Sequence, residues 1–302
     1  MKKIIAYLIM IIIIALVFIY REDITNYITN NIVKQEKIED LKYNDYAKKK
    51  DYAFVSITND LKIKKKDDIK NIFYTVLDSG KNEFNIFCDS NYKTCSKDVE
   101  EFFDNKDILS DINNFVHPYN SFKNIKISVT NYGKITLNIT HIYNDEEITI
   151  INDQINQFIT DNINDNMNNN EKIKIFHDYI VNNTKFDTEI ENSQDRLNST
   201  SYNAYGLLIN HKAICGGYSD TMAIYLDKLN IPNYRISTNE HVWNLVNLDN
   251  KWLNLDVTWD DPVVSDGTDM LMYDYYLIDT NTLLSKDTTQ HNFNKDIYIE
   301  AQ

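Results

Sequence analysis

The amino-acid sequence predicts an α+β fold that follows an apolar N-terminal segment. Hydrophobic residues make up 43% of the chain, and Gly and Pro are scarce, so the chain can build real cores. Apolar residues recur at helical spacing in four segments, 66–80, 146–163, 171–184 and 215–229. Apolar and polar residues alternate, as in antiparallel strands, across the two hairpin patterns at 123–143 and 241–259.

The length of the chain indicates how many domains it can form, and its net charge argues against nucleic-acid binding. Its 302 residues leave room for two domains and an anchor. The net charge is −14, whereas proteins that bind nucleic acid usually carry a basic surface. The short basic stretches at 48–50 and 64–66 lie beside acidic residues. We therefore interpret them as solvated surface and expect no nucleic-acid partner.

The N-terminus has the pattern of a membrane anchor. Lys2 and Lys3 precede an uninterrupted apolar run, Ile4–Tyr20, whose 17 residues are at the lower limit for a helix that crosses a bilayer. No small-residue cleavage motif follows, and the lysines favour a cytoplasmic N-terminus. We predict a single-pass transmembrane signal-anchor at 1–22, a juxtamembrane stalk at 23–50, and an extracytoplasmic remainder. A cleaved signal peptide is the alternative.

Residues 51–163 are predicted to form a small α+β domain of unknown role. Strand-like segments at 52–58 and 84–88 flank a helix that ends at Gly80. The hairpin pattern at 123–143 and a helix at 146–163 complete it. No group of residues in this segment forms a pattern typical of a catalytic site.

The three cysteines predict one disulfide and one free thiol. Cys88 and Cys95 are close in sequence and can pair in an oxidising compartment. No second pair of cysteines lies nearby, so we expect no metal site. Cys215 is then an odd thiol, which an exported protein either buries or uses.

Cys215 lies at the start of a predicted helix in the second half of the chain. The polar stretch 164–170 predicts a domain boundary, with a second domain at 164–302. A cysteine at a helix N-terminus is stabilised as the thiolate. Gly216 and Gly217 follow it, and glycine in a helix indicates close approach by a substrate or a strand. A buried, inert cysteine in a tight turn is the alternative.

His241 and Asp256 are predicted to share one face of a β-hairpin. A two-residue turn at 249–250 pairs Leu248 with Lys251, and in that register the two side chains are diagonal neighbours. Diagonal neighbours lie roughly 7–8 Å apart at their backbones, so an imidazole and a carboxylate can meet. The opposite face is mostly apolar, and we interpret it as the core face; it carries Val242, Val246, Leu248, Leu253, Leu255 and Val257.

The remaining candidates are interpreted as structural. His177 is a single histidine on a helix, and His291 lies outside the hairpin. The acidic loop at 260–269 lacks the spacing and the closing Glu of an EF-hand, so we expect a solvated loop.

Three motifs resemble the transglutaminase-like superfamily, in particular its bacterial members. They are AICGGYSD at 213–220, HVWNLV at 241–246 and LDVTWDDP at 255–262. The resemblance covers roughly 171–280. It implies a papain-like core in which a helix bearing Cys215 packs on an antiparallel sheet bearing His241 and Asp256.

The resemblance also implies a function. Cys215, His241 and Asp256 would form a catalytic triad that needs no cofactor and makes a thioester from a protein or peptide substrate at the cell surface or wall. The acyl group would pass to an amine or to water. The backbone N–H of Cys215 is one oxyanion donor, and Tyr202 or Asn210 could be the second. A cysteine peptidase and an inactive module that binds a wall or protein partner are the alternatives.

Overall fold

The computed structural model describes residues 2–31, 40–130, 133–263 and 270–302. Its helices are α1 (Lys2–Ile19), α2 (Arg21–Asn31), α3 (Lys66–Asp78), α4 (Cys95–Asp104), α5 (Lys106–Asn113), α6 (Asp145–Asn162), α7 (Asn169–Asn183), α8 (Thr188–Glu191), α9 (Cys215–Lys228) and α10 (Thr280–Lys286). Its strands are β1 (Lys62–Ile63), β2 (Glu83–Cys88), β3 (Phe122–Val129), β4 (Lys134–His141), β5 (Lys185–Phe186), β6 (Lys212–Ala213), β7 (Asn233–Ser237), β8 (Val242–Leu248) and β9 (Lys251–Leu255). The α+β prediction is confirmed.

The first sheet has the strand order β1-β2-β4-β3. β1 pairs with β2 in parallel, and the other neighbours are antiparallel. The helix predicted at 66–80 and the hairpin predicted at 123–143 both form, as α3 and as β3–β4. Residues 131 and 132, which come between these strands in the sequence, lie outside the described residues.

The strand predicted at 52–58 is wrong, because this segment pairs with side chains instead of a neighbouring strand. The Ser56 and Thr58 N–H groups donate to the Asn71 and Thr75 side chains of α3, at 3.1 and 3.0 Å. Val55 is buried in the core. The alternating pattern therefore reflects a loop that covers α3.

The second sheet is antiparallel with the order β7-β8-β9 and carries the hairpin predicted from the sequence. Leu248 pairs with Lys251 and Leu245 pairs with Asn254, so the predicted register is confirmed. Asp249 and Asn250 make the turn with φ of 51° and 64°, the left-handed conformation that short hairpin turns require.

Both faces of this sheet are buried, which corrects the expectation of a single core face. Val246 and Leu248 pack in a cluster with α6, α7 and α9. Trp243 and Leu245, on the opposite face, pack in a cluster that also contains side chains of the first sheet. The sheet is thus the middle layer of the molecule, with α9 on one side.

The two halves of the chain share their cores. One cluster joins Ile86 and Leu137 of the first sheet to Tyr234 and Trp243 of the second. In the other cluster, α6 packs on the second half, where the Phe158 ring meets the Phe176 ring with centroids 4.9 Å apart. The division at residue 164 stays a prediction, and the hydrophobic packing crosses it.

The apolar run at the N-terminus forms α1, and the side chains of Ile11–Ile14 are more than half exposed. In the part of the chain whose placement is described, no helix combines the length and apolarity needed to cross a membrane. The transmembrane anchor is therefore still a sequence prediction. Of the predicted stalk, residues 32–39 lie outside the described residues.

Candidate active site

Cys215 is the first residue of α9 and is 5% exposed. A Cβ atom on Gly216 would lie 2.6 Å from the Tyr202 carbonyl oxygen, and one on Gly217 would lie 2.8 Å from the Ser201 carbonyl oxygen. The paired glycines therefore let the chain at 200–202 cross directly over the first turn of α9. This is the close approach that their position in a helix predicts.

A buried ion pair holds α9 against the first half of the chain. Asp220 accepts from Arg235, and the Tyr143 hydroxyl donates to the same carboxylate at 2.6 Å. Arg235 also donates to the Asn113 carbonyl oxygen and to the Ser121 hydroxyl, at 2.7 and 2.6 Å. The helix that carries Cys215 is thus fixed by contacts that reach back to the end of α5 and to Ser121, the residue before β3.

His241 and Asp256 meet as the hairpin register predicts. The distance between His241 Nε2 and Asp256 Oδ2 is 2.6 Å, and both side chains are buried. Asp256 Oδ1 accepts from the backbone N–H groups of Thr258 and Trp259, at 3.0 and 3.2 Å. Cys215 is also close enough to His241 to raise the pKa of the ring, and because Nε2 contacts Asp256, Nδ1 is the ring nitrogen left for the sulfur.

The charges of this pair stabilise each other. Burial opposes the charged form of His241, but the Asp256 carboxylate and the Cys215 contact outweigh it and raise the pKa of His241 to about 10. Burial likewise opposes ionisation of Asp256, but His241 and then His291 overcome it and hold the pKa of Asp256 below its usual value. At neutral pH the ring is therefore an imidazolium held by a carboxylate, and a positive ring beside the sulfur stabilises a thiolate.

His291 also contacts this group, which corrects its interpretation as a residue apart from the site. Its Nε2 atom lies 2.8 Å from Asp256 Oδ2, and its Nδ1 atom lies 2.8 Å from Asp287 Oδ2. The ring is fully buried. The hairpin pattern gave no signal for this contact, because His291 comes 35 residues after Asp256 along the chain.

A model of the transglutaminase-like superfamily matches residues 153–257, a stretch that includes Cys215, His241 and Asp256. This stretch is a transglutaminase-like superfamily domain. The match begins earlier than the resemblance found in the motifs, at α6 instead of α7, and ends just after Asp256. The first sheet lies outside it.

Two solved structures are similar to parts of the chain. One is a transglutaminase, with 20% identity over 46% of this chain and 44% of that one, and a TM-score of 0.34. The other is a candidate cysteine protease from Cytophaga hutchinsonii, with 13% identity over 49% of this chain and 65% of that one, and a TM-score of 0.28. This chain covers less than two thirds of either protein. No curated protein matches the sequence.

A cleft of about 730 Å³ opens at Cys215 and His241 of the transglutaminase-like domain. One wall comes from the first half of the chain, where α5 contributes Asp107, Ser110 and Asp111. Glu240 adds a further carboxylate. Among the described residues that line the cleft, the cationic ones are His241 and Arg196, and Arg196 pairs with Glu191 at 3.0 Å. The lining is therefore acidic.

Of the two side chains predicted as oxyanion donors, the structure places one in the cleft with Cys215. Tyr202 lines the cleft with Cys215, and the pKa of its phenol is raised, first by burial and then by the charge of Cys215. The phenol therefore stays protonated. Asn210 is exposed and donates to the Thr200 hydroxyl at 3.1 Å, outside the cleft lining.

Among the described residues, the group of potential metal ligands whose atoms lie near one another is His241, Asp256 and His291. Their N···O separations are 2.6 and 2.8 Å. Two ligand atoms bound to one zinc ion at about 2.0–2.1 Å in a tetrahedral arrangement would be roughly 3.3 Å apart. The separations are those of hydrogen bonds.

The remaining sequence predictions concern residues away from the cleft. Cys88 and Cys95 form a disulfide, with Cα atoms 5.9 Å apart, and Cys215 is the free thiol. Asp260 is fully buried and lies 3.2 Å from His177 Nε2, so it is not part of a solvated loop. Residues 264–269 of that loop lie outside the described residues.

Proposed function

We propose that this protein is a thiol enzyme that forms a thioester on Cys215 and transfers the acyl group to an amine or to water. The observation that carries the proposal is the chain of contacts from Asp256 through His241 to Cys215. This series of contacts ends at Cys215, at a helix N-terminus inside an open cleft. The family match over 153–257 agrees with such chemistry.

In the first half of the reaction, the Cys215 thiolate attacks the acyl carbon of an amide. The C–S bond forms as the carbonyl π bond opens to an oxyanion. His241 then gives its proton to the leaving nitrogen, and ammonia or an amine departs. Asp256 holds the ring in the orientation that points Nδ1 at the sulfur and stabilises its charged form.

In the second half, an amine or a water molecule attacks the thioester. His241, now neutral, accepts the proton of the attacking group, and the thiolate leaves. Because the two acceptors use the same residues, transfer and hydrolysis differ only in which nucleophile reaches the thioester.

Two donors support the oxyanion in this mechanism. The Cys215 N–H lies in the first turn of α9, where backbone N–H groups have no partner within the helix. The Tyr202 phenol is the second donor that we propose, because it lines the cleft beside Cys215 and stays protonated.

The acidic lining indicates the charge of the substrate. Carboxylates of Asp107, Asp111 and Glu240 outnumber the cations that line the cleft, and an excess of negative charge attracts groups of the opposite sign. We therefore propose that a cationic or neutral group, such as a lysine side chain, is accepted beside Cys215 more readily than an anionic one. Amide substrates that differ only by Lys, Gln or Glu next to the reactive amide would test this, with Lys expected to react fastest at low salt.

The decisive experiment offers the protein a glutamine-containing acceptor protein and a labelled primary amine. Incorporation of the label indicates acyl transfer, new chain termini indicate a peptidase, and ammonia release without either indicates amide hydrolysis. Each activity should vanish in Cys215→Ala and persist in His177→Gln, which alters a buried histidine outside the cleft. If none depends on Cys215 and the thiol is inert to iodoacetamide, the domain is a binding module.

We also propose an extracytoplasmic location, with the N-terminal apolar segment as the anchor. The lysines before the run support it, and the Cys88–Cys95 disulfide suits an oxidising compartment. Protease digestion of intact cells should remove the Cys215 domain from the membrane fraction. Protection of the domain until the cells are lysed would contradict the proposal.

A further inference from the structure

His291 holds the carboxylate that orients the proposed base. Asp256 Oδ2 is shared, at 2.6 Å from His241 Nε2 and 2.8 Å from His291 Nε2. The other oxygen, Oδ1, accepts from the backbone N–H groups of Thr258 and Trp259. Four contacts therefore fix the orientation of the Asp256 carboxylate, and His291 makes one of them.

A second carboxylate sets the orientation of His291. Asp287 Oδ2 lies 2.8 Å from His291 Nδ1, and its two oxygens also accept from the Thr289 and Gln290 N–H groups, at 3.1 and 2.9 Å. Carboxylates only accept, so both ring nitrogens of His291 must carry protons for these contacts to be hydrogen bonds. The ring is then a cation between two anions.

Aromatic side chains prevent the His291 ring from turning. It stacks on Tyr275 with centroids 5.4 Å apart, and the Trp243 and Trp259 rings meet it edge-on at 4.9 Å. The ring is fully buried, so no water competes for its nitrogens. A ring fixed on all sides transmits its own orientation to the carboxylate that it contacts.

We propose that His291 is a positioning residue for the triad, acting through Asp256 to keep the His241 ring directed at Cys215. This inference rests on the proposed function. A misplacement of about 1 Å at a reacting group can lower a rate by about 100-fold. Asp256 is buried, so water does not replace a lost partner, and without one of its four hydrogen bonds the carboxylate can turn and the His241 ring can follow it.

Two substitutions separate positioning from packing. His291→Gln places an amide nitrogen where Nε2 stands and can still donate to Asp256. His291→Asn places one where Nδ1 stands and can reach only Asp287. His177→Gln is the matched control, because His177 is equally buried and lies 3.2 Å from another aspartate, Asp260.

The measurement is the rate of Cys215 alkylation by iodoacetamide between pH 4 and pH 9, on the full chain, with thermal unfolding of each variant. Cys215 is the free thiol, so total alkylation reports on it alone. The titratable groups that face His291 are Asp256, Asp287, His241 and Tyr275. The acid limb of the profile reports how well the His241–Asp256 pair maintains the reactive thiolate, because iodoacetamide reacts with the thiolate and not with the thiol.

We expect His291→Asn to lower the alkylation rate at pH 6 by about 10- to 100-fold and to move the acid limb to higher pH. His291→Gln should stay within about threefold of wild type, and His177→Gln should leave the rate unchanged. Should His291→Asn fail to fold, Asp287→Asn takes its place, and a fall of about threefold to tenfold is expected.

The outcomes distinguish this inference from the function on which it rests. If His241→Ala slows alkylation and His291→Asn does not, the positioning role is wrong and the proposed function stands. If His291→Gln and His291→Asn slow it equally, in step with their loss of thermal stability, His291 only packs. If His241→Ala alkylates like wild type, the proposed function itself fails.

Discussion

The buried His241–Asp256 pair should make the stability of this protein fall between about pH 6.5 and pH 10. A histidine in the unfolded chain has a pKa near 6.5. In the folded protein, burial opposes the charge, but Asp256 and then Cys215 outweigh it and raise the pKa of His241 to about 10. The folded state therefore binds this proton more tightly, so the stabilisation is complete below pH 6.5 and disappears as the pH rises through 10.

The size of the effect follows from the shift. At about 1.4 kcal/mol per pKa unit, a change from 6.5 to about 10 corresponds to about 5 kcal/mol of unfolding free energy. Domains are typically stable by about 5–15 kcal/mol, so the loss should be easy to measure.

Urea denaturation at pH 6, 8 and 9.5 would test this, with Cys215→Ser in every sample so that the thiol does not titrate. Serine lacks the charge by which Cys215 adds to the shift, so about 5 kcal/mol is the upper limit in this background. His241→Gln has no proton to lose. Its difference from the parent in unfolding free energy should be largest at pH 6 and shrink towards pH 9.5. Lysine and tyrosine titrations are common to both proteins and cancel in that difference.

Asp256→Asn is the control for the cause. Without the carboxylate, burial lowers the pKa of His241, and the dependence between pH 6.5 and pH 10 should vanish. A difference between parent and His241→Gln that stays constant from pH 6.5 to pH 10 would refute the reasoning, because the two His241 pKa values would then be equal.

Three further predictions concern the surroundings of the site. Gly216→Ala gains about 1 kcal/mol of helix propensity but loses about 1–3 kcal/mol to overpacking, and its methyl group should displace Tyr202. The rate of Cys215 alkylation should therefore fall by more than the change in melting temperature alone would explain. Arg235→Met should cost about 3–5 kcal/mol in urea denaturation because it leaves a buried carboxylate unpaired, and a smaller loss would place that charge in contact with water. Cys88→Ala should cost about 2–3 kcal/mol under oxidising conditions and nothing once the disulfide with Cys95 is reduced in both proteins.

Local sequence was sufficient to predict the parts of the site that lie on one hairpin and one helix start. The turn at 249–250 fixes the register, and the register alone brings His241 to Asp256. Gly216 and Gly217 likewise marked the close approach of the chain over α9, although the approaching segment could not be named.

What depends on distant parts of the chain was not predicted. His291 reaches Asp256 because the C-terminal segment packs across the sheet, and no periodicity encodes that packing. The second buried face of the sheet was missed for the same reason, since its cover comes from residues such as Ile86 and Leu137 in another sheet. The segment 52–58 alternates like a strand, but its backbone partners are side chains of α3.

The cleft is lined by residues from two different parts of the chain, because α5 forms one of its walls. The residues proposed to make and break bonds lie at 215–256, whereas Asp107, Ser110 and Asp111 come from a stretch that the superfamily model does not cover. If the proposed function holds, mutations in the first stretch should alter whether the reaction occurs, and mutations in the second should alter what it acts on. Related proteins could therefore diversify their targets by exchanging the N-terminal half while inheriting the same chemistry.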